Sequence, residues 1–418
     1  MLKRPLPGEA KGGRTVRTEI AGMSLEALRD QYRCDLFDDY VAFWREHGID
    51  REHGGFMCTM DHDGSYVNTS KSMRFQGRGL WTHSFLYNHF GGDEHLQDAK
   101  RTRDFVVKHG LAPGGAWFLS LDREGNPTGP PDPMGYEGLF MAEGLHEYAK
   151  ASGDQEPMDL ALESFRRGCE TYDDASRHEP LGYTPYSYPG IRVQGFEMVT
   201  TVLLTSLVQA VPDPKLEARL DHAVDAVMNR FWNPEYRLNN EVLDFDYERP
   251  ADENEDFIYL GHAIETMWML LHEALRRKDR SLFDLVAERL ERHMEVAWDD
   301  VYGGFFRALK AKTQEYTLDK VLWLQEEVLI GTMILMEHTD LEWPEWWFDR
   351  TFRYVQEKFP LKPHGHPLWI LGSDRKVTFK SHISRQGNYH HPRHLMLNLL
   401  AVERMIERGG KVSDVWGT

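Results

Sequence analysis

A histidine and a glutamate share one face of a predicted helix in the second half of the chain. The segment from Gly261 to Leu270 reads G-H-A-I-E-T-M-W-M-L and follows an acidic, turn-prone run. His262 and Glu265 are three residues apart, a spacing that puts both side chains on one helical face. A helix beginning near Gly261 would place its positive dipole end beside His262 and keep the imidazole neutral. The pattern predicts a general base, with an ordinary helix histidine beside a surface carboxylate as the alternative.

Three histidines and an arginine cluster just before the last predicted helix. The segment from Gln386 reads Q-G-N-Y-H-H-P-R-H-L-M-L. Pro392 suits the first turn of a helix, which would leave His390 in the preceding loop with its imidazole beyond the helix end. Clustered histidines also suit a metal, but no H-E-x-x-H or Cys/His ligand spacing accompanies them. We therefore expect an acid or base at this position and no metal.

Arg78 lies between two glycines inside an otherwise apolar helical pattern. Glycine in a helix interior costs about 1 kcal/mol relative to alanine, so Gly77 and Gly79 indicate a need for close approach or space. A guanidinium held there could donate hydrogen bonds to sugar hydroxyls or to an oxyanion. A solvated helix arginine is the alternative.

An aromatic ring and a carboxylate share a face of another predicted helix. Trp323 and Glu327 are four residues apart in K-V-L-W-L-Q-E-E, which begins at Lys320. At that spacing the two side chains are neighbours on the helix surface. A ring beside a carboxylate can hold a pyranose, but Trp323 could equally lie in the core with Glu327 exposed.

Charge and composition exclude several classes of partner. The 418 residues carry a net charge of −18, which argues against nucleic acid and anionic membranes as partners. The three cysteines are widely spaced, so neither a disulfide framework nor a thiolate metal site is expected. No apolar run approaches the roughly 20 residues that span a bilayer. We expect a cytoplasmic protein.

The chain divides into a short lead-in and one long domain. Residues 1–20 begin with basic residues, prolines and glycines and lack the apolar core of a signal peptide. They are predicted to be flexible. No low-complexity linker interrupts residues 21–418, so these are predicted to form a single domain.

A repeated phrase and a count of helices predict the fold. A Gly-Gly followed by an aromatic or apolar strand recurs after Gly54, Gly114 and Gly303, and more weakly near Gly365, at intervals of about 60 residues within each half. Such a module must stack on its neighbours to bury its apolar face. Twelve helical patterns can be placed, which predicts six helical hairpins closed into an all-α (α/α)6 barrel, with an open superhelix as the alternative. The patterns cover residues 25–47, 71–87, 96–109, 136–151, 158–173, 196–211, 215–231, 261–277, 282–296, 321–338, 343–359 and 392–408.

Six phrases, in order, resemble the N-acylglucosamine 2-epimerase family, which includes cellobiose 2-epimerases, mannose 2-epimerases and mannose isomerases. The resemblance covers nearly everything from Leu25 to Met405, and its combination of phrases is specific. The family fold is an (α/α)6 barrel, in agreement with the helix count. The phrases are D-R-E-H-G-G-F from Asp50, F-Q-G-R-G-L-W from Phe75, G-H-A-I-E-T-M-W from Gly261, W-D-D-V-Y-G-G-F-F from Trp298, L-W-L-Q-E-E from Leu322 and G-N-Y-H-H-P-R from Gly387.

The resemblance implies a cofactor-free proton transfer at C2 of a reducing sugar. One histidine removes the C2 proton from the ring-opened sugar to give a cis-enediolate, and a second returns a proton to the opposite face. By match the two are His262 and His390. Glu265 would orient or assist His262, and Arg78 would stabilise the enediolate oxygen. The match also implies a substrate-binding set: Trp323, Glu327, Arg393, Tyr389 and Arg385.

Departures from the family bear on the substrate. Disaccharide epimerases carry an N-x-H-x-H-like phrase on the helix that here reads G-F-E-M-V-T-T from Gly195, so a third histidine is missing. Their tryptophan shortly before the last catalytic histidine falls at or near Arg385, and the double tryptophan of many members is Leu322-Trp323. These changes favour a monosaccharide over cellobiose.

The sequence therefore predicts a 2-epimerase acting on a free monosaccharide of the N-acylglucosamine or glucose/mannose type. Three alternatives remain: an aldose–ketose isomerase of the mannose–fructose kind, a non-catalytic carbohydrate-binding protein, and a glycoside hydrolase, which would need two carboxylates about the scissile bond. The resemblance also suggests a homodimer.

Overall fold

Twelve α-helices build the part of the chain that the structure, a computed structural model, describes: residues 16–178, 190–361, 370–376, 385–386 and 389–417. Two of them run on into π-helical turns, the first through Cys34–Val41 and Trp44–Gly48 and the seventh through Ala226–Arg230. The helices are α1 (Leu25–Arg33), α2 (Met73–Phe90), α3 (Asp93–His109), α4 (Tyr136–Ser152), α5 (Gln155–Tyr172), α6 (Gln194–Ala210), α7 (Pro214–Asp225), α8 (Leu260–Arg277), α9 (Arg280–Ala297), α10 (Leu322–His338), α11 (Trp343–Lys358) and α12 (His390–Glu407).

The even-numbered helices form a closed inner ring. Each packs on the next, and α12 packs back on α2. Each of the odd-numbered helices α3 to α11 packs outside the even-numbered helix that precedes it, and α1 packs on α12. Sequence accounts for the division, because α10 is mostly apolar and is buried from Leu322 to Glu337, whereas outer helices such as α5 expose a polar face. The ring confirms the predicted (α/α)6 barrel and excludes the open superhelix.

Short antiparallel strands connect the helices, and five of them lead into inner helices α2, α6, α8, α10 and α12. β10, β11 and β12 form one three-stranded sheet, and the other described sheets have two strands each. The strands are β1 (Glu19–Ile20), β2 (Met23–Ser24), β3 (Thr59–Met60), β4 (Lys71–Ser72), β5 (Ser120–Leu121), β6 (Ile191–Val193), β7 (Trp232–Asn233), β8 (Leu238–Asn239), β9 (Val242–Asp244), β10 (Phe257–Ile258), β11 (Ala308–Lys310), β12 (Glu315–Thr317), β13 (Lys320–Val321), β14 (Ile370–Leu371) and β15 (Arg385–Gln386).

The repeated Gly-Gly phrase folds in the same way at three places. Both glycines have positive φ at each copy, at 54–55, 114–115 and 303–304, a region that glycine adopts without steric penalty. Each copy is bracketed by an isolated β-bridge, such as Ile49 with Phe56 and Trp298 with Phe305. The repeat therefore specifies a tight turn at one end of the barrel. The fourth, weaker copy begins at His364 and lies outside the described residues until Ile370.

A buried lysine anchors two of these turns to the start of an inner helix. Lys71 Nζ donates to Asp50 Oδ2 at 2.9 Å and to the Gly54 carbonyl at 2.6 Å. Lys320, just before α10, makes the equivalent bonds to Asp299 and to the Gly303 carbonyl. Both lysines are fully buried. The repeat thereby fixes the starts of α2 and α10, whose first two turns carry Arg78 and Trp323.

The sequence-based bounds differ from the structure at both ends of the chain. Residues 16–20, expected in the flexible lead-in, are packed: Val16 pairs with Lys411, and the buried Arg17 donates to the carbonyls of Met336 and Thr339. Residues 1–15 of that lead-in lie outside the described residues. The last helix begins at His390, two residues before Pro392. Among the described helices none is long and apolar enough to cross a membrane.

Helices α2 and α4 approach each other closely through two glycines. A Cβ on Gly77 would lie 2.5 Å from the Phe140 carbonyl oxygen, and one on Gly144 would lie 2.4 Å from the Gly77 oxygen. Both obstacles are backbone atoms, which cannot rotate away. The close approach that the glycines beside Arg78 predicted is therefore present at Gly77.

Gly77→Ala should destabilise the fold by about 1–3 kcal/mol, as overpacking of a tight core does. Urea unfolding would measure the change. Gly331→Ala is the matched control, because a Cβ there meets chiefly the movable Leu290 side chain at 2.8 Å. An equal effect of both substitutions would contradict the role assigned to the α2–α4 contact.

Candidate active site

The N-terminal ends of five inner helices and the segments that lead into them line one cavity of about 370 Å³. It contains both predicted catalytic histidines. Its position at helix N-termini matters because the positive ends of several helix dipoles point toward it, which favours negative charge in the cavity. The described lining residues are Ser72, Arg74, Phe75, Arg78, Leu119, Glu137, Tyr259, His262, Glu265, Trp323 and His390.

His262 is held by a carboxylate that the sequence did not indicate. Its Nδ1 lies 2.8 Å from Glu241 Oε1, and Glu241 is 1% exposed. Because an ionised carboxylate can only accept, we assign a proton to Nδ1. Glu265, which was predicted to orient His262, lies on the same helix and instead accepts a hydrogen bond from Arg393. The hydrogen bond that orients His262 is thus made with Glu241, whereas Glu265, which was predicted to orient or assist His262, favours the charged imidazole electrostatically from the same cavity.

The pKa of His262 is shifted in the direction opposite to the one expected from the helix dipole. Burial opposes the charged imidazole, but the charge and hydrogen bond of Glu241 outweigh it and raise the pKa of His262 above its usual value. A helix dipole contributes about 0.3–1 kcal/mol. A carboxylate in direct contact contributes about 1.4–4 kcal/mol, the equivalent of the pKa shifts that such contacts cause. The carboxylate wins because it is closer and fully buried. His262 is therefore suited to hold a proton and donate it.

Glu241→Gln should lower the pKa of His262, which a histidine NMR titration would follow. The pKa of His262 is higher in the folded chain than in the unfolded chain, where it is about 6.5. The bond to Glu241 therefore stabilises the fold fully below about pH 6.5, and this stabilisation is lost as the pH rises through the folded-state pKa. The substitution should remove that pH-dependent contribution. Glu248→Gln, an exposed neighbour, is the control and should leave the titration unchanged.

His390 sits in a separate buried network. Its Nδ1 lies 2.8 Å from Glu327 Oε1, and Trp268 Nε1 donates to Glu327 Oε2 at 2.6 Å. Arg393 donates to Glu327 at 2.7 Å and also to Glu265. Since Glu327 accepts all these bonds, we assign the proton of His390 to Nδ1, which leaves a lone pair on Nε2. His390 can therefore act as a base toward the cavity.

The network fixes the charge states around His390. Burial, offset in part by Glu265, lowers the pKa of His390 well below its usual value. Burial also opposes the charge of Arg393, but Glu327 outweighs it and raises the pKa of Arg393. His390 is the first residue of α12, and it was predicted to lie in the loop before the helix. In that position its side chain still lines the cavity.

Trp323 contacts both histidines. Its ring centroid lies 5.2 Å from that of His390 and 6.1 Å from that of His262. Gly261 makes room for it, because a Cβ there would lie 2.3 Å from the Trp323 ring. Trp323 is 7% exposed and lines the cavity. The ring thus forms a floor shared by the two imidazoles.

Arg78 reaches the same cavity from α2. Its guanidinium stacks on Phe140 at 4.4 Å and on Tyr389 at 4.9 Å. Its buried Nε has no hydrogen-bond partner among the described residues. Burial lowers the pKa of Arg78, with Arg74 adding to the effect, but an arginine with an ordinary pKa above 12 stays charged. The guanidinium of Arg78 is therefore a fixed positive charge beside the two histidines.

The same segments match a known family. A family model described as N-acylglucosamine 2-epimerase (GlcNAc 2-epimerase) matches residues 54–392. The chain belongs to the N-acylglucosamine 2-epimerase family. The predicted resemblance is thereby confirmed, and with it the assignment to the sugar 2-epimerases, which are isomerases.

Individual relatives cover nearly the whole chain. The N-acylglucosamine 2-epimerase of Bos taurus is 26% identical over 397 residues, which are 90% of this chain and 91% of the relative. The solved cellobiose 2-epimerase from Bacillus thermoamylovorans B4167 has a TM-score of 0.79 at 19% identity and covers 91% of this chain and 100% of its own. A D-mannose isomerase structure has a TM-score of 0.72 at 16% identity, covering 92% and 97%. At these identities the structures establish the shared fold.

Other predicted site residues lie behind the cavity wall or outside the described side chains. Glu327, Arg393 and Tyr389, all expected to bind substrate, are not among the described residues that line the cavity. Tyr389 is buried and donates its hydroxyl to Glu143 Oε1 at 2.6 Å. Arg385 pairs with Met60 through its backbone in β15, and its side chain lies outside the described part.

Sequence reasoning missed several residues of this epimerase-family site: Glu241, Glu143, Trp268 and Tyr259. Glu241 follows two asparagines in a strand connection and carries no motif. Glu143 had a usable signal, because a carboxylate within the otherwise apolar stretch L-F-M-A-E-G-L of α4 is expected to be paired when buried. It pairs with Tyr389, beside His390. Tyr259 contacts His262 edge-on at 4.4 Å.

Proposed function

We propose that this protein inverts C2 of a free reducing monosaccharide of the N-acylglucosamine or glucose/mannose type, by proton transfer between two histidines. The observation that carries the proposal is the cavity shared by His262 and His390, each with its Nδ1 on a buried carboxylate. A protein that only binds sugar needs no such pair. Two oriented imidazoles are what proton removal and return on opposite faces of one carbon require.

The reaction begins with the open-chain aldose. Nε2 of one histidine takes the C2 proton, and the bonding electrons form a C1–C2 double bond while the C1 carbonyl oxygen becomes an enolate oxygen, which is part of an enediolate when C2 carries a hydroxyl. Nε2–H of the other histidine then returns a proton to the opposite face of C2, and the carbonyl re-forms. In one direction His390 is the base and His262 the acid, and the reverse reaction exchanges the roles. The sugar keeps its composition, so no redox partner is needed.

Arg78 would stabilise the enediolate. Its charged guanidinium lines the cavity with the histidines, and the converging helix N-termini add positive potential. Preorganised donors that meet a charge developing in the transition state lower the barrier more than they strengthen substrate binding.

Arg78→Lys should reduce kcat by about 10²–10³-fold, the usual effect of losing an oxyanion donor, with a smaller change in KM. Lysine keeps a charge but not the planar fork that stacks between Phe140 and Tyr389. Steady-state kinetics on the wild type and the variant would measure both constants. Arg103→Lys, an arginine of α3 stacked at 5.3 Å on Tyr148, is the control and should behave as wild type.

The size of the site favours a monosaccharide. Gly195 on α6 faces His262, and a Cβ there would lie 2.7 Å from the Tyr136 hydroxyl and 3.1 Å from His262 Nδ1. Any side chain larger than glycine at this position would need these neighbours to move. The cavity of about 370 Å³ lies at the small end of ligand pockets, about 300–1,000 Å³.

The testing experiment is incubation of EDTA-treated protein with a panel of aldoses in D2O, followed by proton NMR. An epimeric aldose labelled at C2 supports the proposal. A ketose would assign the protein to aldose–ketose isomerisation, which uses the same base and enediolate and returns the proton to C1. Cleavage of a glycoside, with no incorporation of deuterium at C2 of any aldose, would contradict both the epimerase and the isomerase assignments.

We further propose that the enzyme works in the cytoplasm as a homodimer. The acidic charge of −18 suits a protein that remains dispersed in solution. Size-exclusion chromatography with light scattering measures the oligomeric state, and a mass of one chain would contradict the dimer.

A further inference from the structure

The three clustered histidines point in two directions. His390 faces the catalytic cavity, whereas His391 and His394 turn away from it toward α10 and the first helical segment. His391 Nδ1 contacts Glu326 Oε1, and His394 Nδ1 lies 3.5 Å from the same oxygen. Glu326, His391 and His394 are called the outer triad below. Each offers one ligand atom, and these atoms all lie within 4.8 Å of one another.

Two members of the outer triad, Glu326 and His394, are buried, and each has one polar atom without a hydrogen-bond partner among the described residues. Glu326 is 1% exposed and His394 is 4% exposed. Among the described residues, Glu326 Oε2 and His394 Nδ1 are buried without a hydrogen-bond partner. Buried polar atoms are normally satisfied by protein, water or an ion. These two atoms therefore leave ligand capacity in the outer triad that a bound ion would satisfy.

The charge around the outer triad is negative. The ion-pair partners of Glu326 among the described residues are the two histidines. Asp35 and Asp39, on the π-helical segment after α1, interact electrostatically with His391. Three carboxylates thus face two imidazoles. A buried arrangement of this kind gains from a bound cation.

We propose that the outer triad binds one divalent transition metal ion of the zinc class. Two imidazole nitrogens and one carboxylate oxygen are ligands that Zn²⁺ takes readily, with a water molecule as the fourth. His394 Nε2 lies 3.2 Å from the Tyr32 hydroxyl, and such a contact to the second ring nitrogen orients a ligand histidine. The side chain of His391 is 13% exposed, which provides an entry path.

The second candidate group does not suit a metal. Glu265, Glu327 and His390 also bring three ligand atoms together. However, the Arg393 guanidinium donates to both carboxylates there. A fixed cation already occupies the position that a metal ion would take. The metal site is therefore the outer triad and lies apart from the proton-transfer groups.

The metal would join two elements where the barrel closes. Glu326 belongs to α10, whereas His391 and His394 belong to α12, which packs on α1. A bound ion would cross-link α10 to α12 one residue from Glu327 and His390. We infer that it supports the fold of the catalytic end and takes no part in the proton transfer.

The test uses the full chain, stripped with chelator and titrated with Co²⁺ and with Zn²⁺. Wild type should bind one ion, with the visible absorption of four-coordinate Co²⁺ and a rise of several degrees in Tm with Zn²⁺. Glu326→Gln and His394→Gln should weaken binding by more than about 100-fold. His390→Gln, which changes the adjacent group, should bind the ion as wild type does.

X-ray absorption of the zinc form of wild type provides a check that needs no variant. Two imidazoles in the first coordination shell are expected from the outer triad. A single imidazole ligand in the X-ray absorption spectrum would place the ion in the group beside Arg393 and overturn the proposal. The same conclusion would follow if His390→Gln lost metal binding and His394→Gln kept it. Absence of stoichiometric binding by wild type would also overturn it. Because turnover without metal is measured separately, either failure leaves the epimerase proposal standing.

Discussion

His262→Gln and His390→Gln should each lower epimerisation by about 10²–10⁴-fold, the contribution of a positioned acid or base, while preserving isotope exchange from one epimer. Each remaining imidazole still faces one side of C2, since His262 is held by Glu241 and His390 by Glu327. It can remove and return a proton on its own side. The missing partner prevents delivery to the other side, so exchange proceeds without inversion.

Proton NMR in D2O separates the two outcomes, because each epimer is supplied pure and its C2–H signal is followed. One variant should exchange the C2 proton for deuterium in one epimer only, and the other variant should do so only in the opposite epimer. His222→Gln is the control, since His222 is exposed on the outer helix α7 and does not line the cavity that contains His262 and His390. Exchange from both epimers in either variant would contradict the two-histidine mechanism.

Local sequence patterns predicted the helices because helix formation is governed by neighbours along the chain. The apolar stretch from Val321 to His338 is found as α10, and the twelve predicted helices all exist. The turn at Gly54 and its copies were also readable, because positive φ selects glycine locally. The closed ring was predicted from the count of six helical hairpins, which can be made without knowing which helices contact each other.

The partners of the proposed catalytic groups could not be predicted in the same way. Glu241 reaches His262 from a strand connection 21 positions earlier, and Arg393 reaches Glu265 across 128 positions. Such pairs depend on which helices meet around the ring, and a single sequence does not contain that information. The dipole argument for His262 gave the opposite direction of shift for this reason, since it counted only the local helix.

The centre of the site also depends on burial that sequence does not reveal. Arg393 was expected to contact substrate, but it is 1% exposed and lies between Glu265 and Glu327. Its guanidinium stacks 4.9 Å from the Trp268 ring and 4.4 Å from the Tyr389 ring. It therefore neutralises the two carboxylates that surround His390 and holds them in place.

Arg393→Met should destabilise the fold by about 3–5 kcal/mol, the usual result of removing one partner from a buried ionic group. Methionine fills much of the volume, so the loss measures the two carboxylates left without a cation. Urea unfolding near neutral pH would record it. The same change at Arg404 is the control: its side chain is 49% exposed, and its partner Glu337 keeps Arg408, so a loss of about 0–1 kcal/mol is expected.

Glu265→Gln added to Arg393→Met should recover part of the lost stability, because one of the two uncompensated charges is removed. An amide also supplies a donor to Glu327. Recovery in the double variant would attribute the effect to charge, whereas a double variant no more stable than Arg393→Met would attribute it to packing against Trp268 and Tyr389. Activity should stay low in both variants, since His390 depends on Glu327 being ionised and fixed. The four side chains Glu265, Glu327, His390 and Arg393 therefore balance one another's charge and hold the proposed base His390 in place.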